Sequence, residues 1–236
     1  LKMMVVAEGG ALLQHNLTMV VDGHTGVEHA VPVAHVYDDV IQLWSASRTG
    51  YTPTLNVAYG GLSGEDFWYS ESDVWSHERL SHFVPQPFLD PRSRRRLKVP
   101  MEDWNHIDVA KSTAKMAVSG TMVQLGAHGQ REGLGVHWEL WSLAQGGMPL
   151  LEVLRAATLN GAVYLGLDRD LGSLENGKLA DLIIVDGNPL KDIRQSEKVR
   201  YVVLNGRLYD ASTMNEIGNH PNERMRFYWE EKSQAP

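Results

Sequence analysis

The chain has 236 residues, 43% of them hydrophobic, no cysteine and a formal net charge of −7. Such a length allows one or two domains. The missing cysteines exclude disulfides and thiolate metal sites. The acidic total excludes a counterion-displacing nucleic-acid surface as the main feature, so no nucleic-acid partner is expected. The basic run Pro91 to Lys98 reads as a solvated loop that balances nearby acids. No apolar run reaches the roughly 18 residues of a membrane span, and no membrane partner is expected.

The opening stretch LKMMVVAEGG is too short and wrongly ordered for a secretory signal. An apolar strand begins at once without an initiator Met, which leads to the expectation of a fragment or a trimmed chain. The compartment is left open between cytoplasm and periplasm.

Taken in chain order, the first element is that strand, ended by the turn at Gly9 and Gly10. LLQHNLTMVVDGH carries apolar residues at mixed helical spacing and stops at Gly23, which predicts a helix. GVEHAVP, Gly26 to Pro32, is a second short strand. Val27 belongs in a core, and Glu28 and His29 follow it directly. Two polar groups at a strand end are either surface residues at a turn or ligands presented to a site. VYDDVIQLWSAS is amphipathic: Val36, Val40, Leu43 and Trp44 share a face, and Asp38, Asp39 and Gln42 point away. YTPTLNVAYGG is a third strand.

Leu62 to Pro100 is a long excursion, rich in aromatics, His and Pro, with no clear alternation of elements. Long insertions of this kind serve as lids or partner surfaces. Phe67, Trp68, Tyr69 and Trp75 suit an aromatic lid, a partner contact or a plain loop core equally. A helix is predicted over Asn105 to Ser119, closed by Gly120. TMVQLGAHG is a fourth strand ending at His128. Helices follow over Glu139 to Ala144 and Leu150 to Leu159, split by the turn QGGMP.

Alternating strands and helices mean parallel strands with helical crossovers. In a β/α barrel, chemistry sits at the carboxyl ends of the strands, where Glu8, His29, Tyr59 and His128 all stand. After about residue 170 the texture changes. LGSLENGKLADLIIVDGNP gives a turn, an apolar strand and a turn, and VRYVVLNGRLYDA gives a hairpin about Asn205-Gly206.

GSLENGKLADLIIVDGNPL resembles the C-terminal signature of the metal-dependent amidohydrolase superfamily, through Gly172, Gly177, Lys178, Ala180, Asp181 and Pro189. Upstream, LLEVLRAATLNGAVYLGLDRDLG resembles that family's penultimate helix pair, and the likeness runs back through HWELWSLAQGGMP to GVEH. It is nearest to the imidazolonepropionase-like group, and to proteins in which a TolB-like β-propeller precedes the barrel. The resemblance implies an α/β fold: a partial (β/α)8 TIM-type barrel, strands five to eight, with C-terminal strands of a small flanking β-sandwich. The expected division is residues 1–170 for the barrel half, with an insertion at about 60–100, residues 171–212 for the sandwich strands, and residues 213–236 for a tail.

The same resemblance implies a metal-dependent hydrolase of cyclic amides or other non-peptide C–N bonds, acting on a small-molecule substrate. The other reading is a degenerate, non-catalytic module that serves a propeller as a structural partner. The implied cofactor is a divalent metal, zinc before manganese or iron, which lowers the pKa of bound water and polarises a carbonyl. His29 matches the family's sixth-strand histidine. Glu8 stands where a fifth-strand histidine is expected, and a carboxylate can replace imidazole there. His128 occupies the place of the eighth-strand aspartate, as a ligand or as a general base, since imidazole titrates near neutrality. Tyr59 and His137 are the substrate-binding candidates, and Glu139 is read as a helix-start carboxylate. His24, Glu65, Asp66, His77 and His82 are read as solvent or packing residues of overhanging loops. The first-strand His-x-His pair and the bridging lysine have no counterpart in this chain. The expected partners are therefore a missing N-terminal barrel half and a propeller. An open half-barrel is also expected to form a homo-oligomer through its edges.

Overall fold

The computed structural model describes residues 3–94 and 96–231, the side chain of Glu231 excepted. Leu1, Lys2, Arg95 and the last five residues of the tail lie outside the described residues. The start of the first predicted strand and one arginine of the basic loop fall there.

β1 (Val6–Glu8), β2 (Gly26–Glu28) and β3 (Gly50–Thr52) form a parallel sheet in that order. Val6 lies opposite Gly26, and Gly26 opposite Gly50. α1 (Leu13–Val21) and α2 (Asp38–Ser47) are the crossovers. α1 stops because Gly23 takes φ +78°, which lets its N–H reach Val20 O and the His24 N–H reach Met19 O. α2 buries Val40, Ile41 and Trp44 and exposes Asp38, Asp39 and Gln42, as its periodicity predicts. The two strand glycines have a tertiary purpose. A Cβ at Gly26 or Gly50 would run into the ring of Tyr164.

The insertion is helical, and the expectation of an excursion without regular elements is corrected. α3 (Gly64–Glu71), α4 (Glu78–Phe83) and α5 (Gln86–Ser93) succeed one another. Ser63 caps α3 and His77 caps α4 through side-chain acceptors. The helices escaped the periodicity reading because each is short and α3 is buried on several faces. Phe67, Trp68 and Tyr69 are consecutive and all buried. Phe67 meets Trp104 edge-on at 5.2 Å, Trp68 meets Trp141 at 5.2 Å, and Tyr69 meets Trp138 at 5.0 Å. These rings are core, while Trp75 remains exposed.

α6 (Asn105–Val118) ends in the same glycine motif at Gly120 as α1 does at Gly23. The fourth predicted strand is reduced to a single parallel bridge, Tyr51 with Val123. Its inner side does pair with β3: Tyr51 N–H donates to Met122 O at 2.9 Å, and Gln124 N–H to Tyr51 O at 3.0 Å. Its outer side is taken by helices. Leu125 N–H donates to Ala156 O at 3.1 Å, and the Asn160 side chain to Val123 O at 2.9 Å. Those partners come from the junction of α8 (Leu150–Ala156) and α9 (Leu159–Leu165). α7 spans Leu134–Gln145, starting earlier than predicted.

β4 (Leu182–Val185), β5 (Val199–Leu204) and β6 (Arg207–Asp210) form one antiparallel sheet. Asn205 and Gly206 both take positive φ, 50° and 75°, in the two-residue turn between β5 and β6. This is a single layer among the described residues. Residues 213–231 return to it: Glu216 bridges Tyr209 and Asn222, and its carboxylate pairs with the Arg207 guanidinium. The sheet is tied to the rest by Trp141, whose indole N–H donates to Ile193 O at 3.0 Å, and by Arg79, whose guanidinium donates to Glu197 O and Val199 O.

Candidate active site

Because β1, β2, β3 and the Thr121–Leu125 segment run parallel, their carboxyl ends share one edge. The question raised by Glu28 and His29 is answered there. Val27 is fully buried, and Glu28 accepts from the Tyr164 hydroxyl at 2.7 Å. Burial, and then Glu28 itself, hold the Tyr164 phenol well above its ordinary pKa. His29 follows the strand with φ 72°, a left-handed conformation that turns its ring away from the strand path.

The His29 ring meets Glu8 and Tyr59. Its Nδ1 lies 3.2 Å from Glu8 Oε1 and 3.0 Å from the Tyr59 oxygen, and the Tyr59 hydroxyl donates to Glu8 Oε1 at 3.3 Å. Burial, and then Glu8, raise the Tyr59 pKa, so the phenol keeps its proton. A carboxylate only accepts. The single Tyr59 proton therefore goes to Glu8, and its oxygen is free to accept from His29. The proton of His29 then belongs on Nδ1, and the Nε2 lone pair is left uncommitted. His128 also takes a left-handed conformation, φ 55°, and its ring stands 5.0 Å from that of His29, edge to face. His128 Nδ1 meets Gln130 Oε1 at 3.1 Å, and Gln130 in turn donates to Glu65.

Glu8, His29, Tyr59 and His128 are thus brought together. His137 is not placed with them. Its Nδ1 meets Ser196 Oγ at 3.1 Å, and it lines a cavity of about 260 Å³ with His77, Leu80, Phe83 and Glu197, against the antiparallel sheet. Burial lowers its pKa.

Glu139 is no helix-start carboxylate. It lies inside α7, fully buried, and accepts from Leu55 N–H at 2.7 Å and Asn56 N–H at 3.0 Å. Burial pushes its pKa up to about 8, against the opposing pull of those two amides. It fastens the turn after β3 to α7, and the chain continues from that turn to Tyr59. Asn105 holds the Tyr59 carbonyl at 2.7 Å. The sequence did carry a signal for Glu139: a lone carboxylate inside Trp138-Glu-Leu-Trp141 sits where every neighbour is core.

Imidazole, imidazole and carboxylate are suitable donors for zinc. Yet among the described residues no three His, Asp or Glu side chains are grouped to hold an ion. Glu8 is committed to His29 and Tyr59. Glu8, His29 and His128 lie near one another, but the described residues of this chain do not by themselves fit a metal site.

The amidohydrolase family model matches residues 102–209. A 5-methylthioadenosine/S-adenosylhomocysteine deaminase of Syntrophobacter fumaroxidans is 41% identical over 94 residues, which cover 34% of this chain and 22% of that protein. Ochratoxinase of Aspergillus niger is 36% identical over 178 residues, covering 69% of this chain and 36% of that one. This chain therefore spans well under half the length of either relative. Among solved structures, a Xaa-Pro dipeptidase with methionine in its active site superposes with a TM-score of 0.62 at 24% identity, over 89% of this chain and 45% of that one. That likeness shows the fold: α/β, with a partial sheet of the barrel type. Together the matches support the amidohydrolase superfamily.

Proposed function

We propose that this chain is the strand-five-to-eight portion of an amidohydrolase barrel, in a metal-dependent hydrolase of cyclic amides or other non-peptide C–N bonds. The hydrolase class is supported by the family match and by relatives named as a deaminase and an ochratoxinase. The substrate class rests on the signature Gly172 to Pro189 and its likeness to the imidazolonepropionase-like group. The observation that carries the reading is the pairing of His29 and His128 at the shared carboxyl edge, with Tyr59 and Glu8 holding His29 by Nδ1.

In this reading His29 offers its free Nε2 to a divalent ion, zinc before manganese or iron. Glu8 orients His29, and His128 stands beside it as a second ligand or as a general base. Tyr59 lines the substrate side. The remaining donors come from further parallel strands that pair with the open outer edge of β1, where Met3, Met4, Val5 and Val6 are exposed. A second copy of the chain, a preceding propeller, or both can cover the remaining apolar surface.

The test is made on the complete protein, with metal per chain and hydrolysis of a cyclic-amide panel as readouts. His29→Ala is expected to lose most bound zinc and at least about a hundredfold in kcat/KM. Wild-type metal content and wild-type hydrolysis in that variant would overturn the reading. No hydrolysis by the unmodified protein, with no stoichiometric metal, would leave a non-catalytic module.

A further inference from the structure

We infer that Glu65 is a positioning residue for His128: acting through Gln130, it fixes the imidazole as the Nδ1–H tautomer and leaves Nε2 free. This inference rests on the reading of His128 as a site residue given above.

The argument starts at the far end of the chain of contacts. Glu65 lies in the first turn of α3, in the insertion, and is 8% exposed. One of its oxygens, Oε2, accepts from the Gln130 side-chain amide. The other, Oε1, is buried without a hydrogen-bond partner among the described residues. Burying a carboxylate with half its acceptors empty costs free energy, and packing alone gives no reason to keep one there. Among the described residues its carboxylate makes one side-chain hydrogen bond, and that bond leads toward the site.

A carboxylate has nothing to donate, so Gln130 must present its NH2 group to Glu65. A planar amide has two ends. Once the NH2 end is committed, the carbonyl end, Oε1, is the one that meets His128 Nδ1 at 3.1 Å. A carbonyl oxygen can only accept, so His128 Nδ1 must carry the proton. The amide cannot turn over, because a flip would set its carbonyl against the Glu65 carboxylate. The Gln130 backbone is held too: its carbonyl accepts from the Arg92 guanidinium, and its N–H donates to Ala127 O. His128 itself is exposed, at a residue where water would otherwise be free to select the tautomer. A solvated neutral histidine side chain favours the opposite form, with the proton on Nε2.

The result repeats the arrangement at His29, where Tyr59 and Glu8 occupy Nδ1. Two neighbouring imidazoles then present Nε2 lone pairs, His29 with Nδ1 tied by side chains distant in sequence and His128 with Nδ1 tied by its neighbour Gln130. The helical insertion supplies the carboxylate that orients this second tie. Histidines that act through one ring nitrogen depend on the partner of the other.

The test reads the tautomer directly. The chain is labelled with 15N-histidine, and two-bond 1H–15N correlations are recorded at about pH 8, well above the ordinary histidine pKa of about 6.5. His128→Asn identifies the His128 signals. His106, buried with Nε2 at 3.1 Å from Gln145 Oε1, serves as the control for an intact core. The expected wild-type pattern at His128 is Nδ1–H. Glu65→Gln and Gln130→Ala are expected to move it to Nε2–H or to an average, with the His106 signals unchanged. In the complete protein, Glu65→Gln is then expected to lower kcat by about 10–100-fold with KM near its wild-type value. An Nε2–H pattern in the wild type, or an unchanged pattern in both variants, would overturn the inference. If His29→Ala abolishes hydrolysis while His128 shows the wrong tautomer, the inference fails and the proposed function stands. If the tautomer is as expected and His29→Ala hydrolyses normally, the proposed function fails alone.

Discussion

The helical insertion and the antiparallel sheet are held in opposite ways. The insertion buries Leu89 and also Phe67, Trp68 and Tyr69, whose rings interlock with Trp104, Trp138 and Trp141. The sheet exposes apolar residues on both faces of its edge strand: Ile183 is 55% exposed and Ile184 44%. The insertion is stabilised by packing that no single turn of it could achieve alone. The sheet is stabilised by its own ladder and turn, plus a few fastenings to the body at Arg79, Trp141 and Ser196. A segment of irregular appearance is thus the better buried of the two, and the more regular one stands out from the core.

The largest expected effect tests that contrast at its root. Trp68→Ala removes a buried indole and its hydrogen bond to Ser142, and should cost about 3–5 kcal/mol in urea unfolding. Ile183→Ala, at an exposed site, should cost less than about 0.5 kcal/mol. Equal losses would break the comparison.

The next effect concerns how the body holds the site. Glu139 has a pKa of about 8 in the fold, against an ordinary 4.5. The folded state therefore keeps a proton that the unfolded state gives up. Stability is full below pH 4.5, falls as the pH rises toward 8, and levels off above it. Glu139→Gln cannot ionise, so its stability should lose that dependence across the same window. It should also be about 1–3 kcal/mol less stable in acid, because one backbone N–H loses its acceptor. Unfolding midpoints measured at several pH values check both points, and parallel curves for the two proteins would show that Glu139 is not the group responsible.

A smaller effect addresses the fastenings. Arg79→Ala removes the donors to Glu197 O and Val199 O. Amide exchange within β4 and β5 should quicken by about tenfold, while α6 and α7 keep their protection. Uniform quickening across all four would mean that the sheet and the body unfold as one unit. The smallest effect lies in the hairpin turn. Gly206→Ala places a side chain at φ 75° and should cost about 1 kcal/mol, seen locally as faster exchange at Leu204 and Arg207.

These contrasts explain which parts of the fold were legible beforehand. The Asn205-Gly206 hairpin was, because two consecutive positive-φ residues are a local requirement and the residue types meet it. So was the buried face of α2, where apolar spacing and burial coincide. Glu8, His29 and His128 were legible as strand-end residues, since a polar group directly after a short apolar strand must leave the core; Tyr59 was read as one too, but β3 ends at Thr52 and Tyr59 follows a separate turn at Leu55–Val57. The insertion helices were not, because three consecutive buried aromatics erase the helical period. The fourth strand was read as longer than it is, because nothing local showed that Ala156 and Asn160 would take the places of a neighbouring strand. Glu139 was misplaced for a similar reason: its partners, Leu55 and Asn56, lie more than eighty residues back along the chain.

By itself the sequence determined the alternation of parallel strands and helices, the change to an antiparallel hairpin, and the residue types delivered to the strand ends. These follow from spacing, turn chemistry and solvation, which act over a few residues. The tertiary structure alone decided which nitrogen of His29 is tied, that Glu65 reaches His128 through Gln130, and that His137 faces another cavity. Each depends on a hydrogen bond between residues brought together by packing. The direction of such a bond is set by what its partner can accept, which no stretch of sequence specifies until the chain has folded around it.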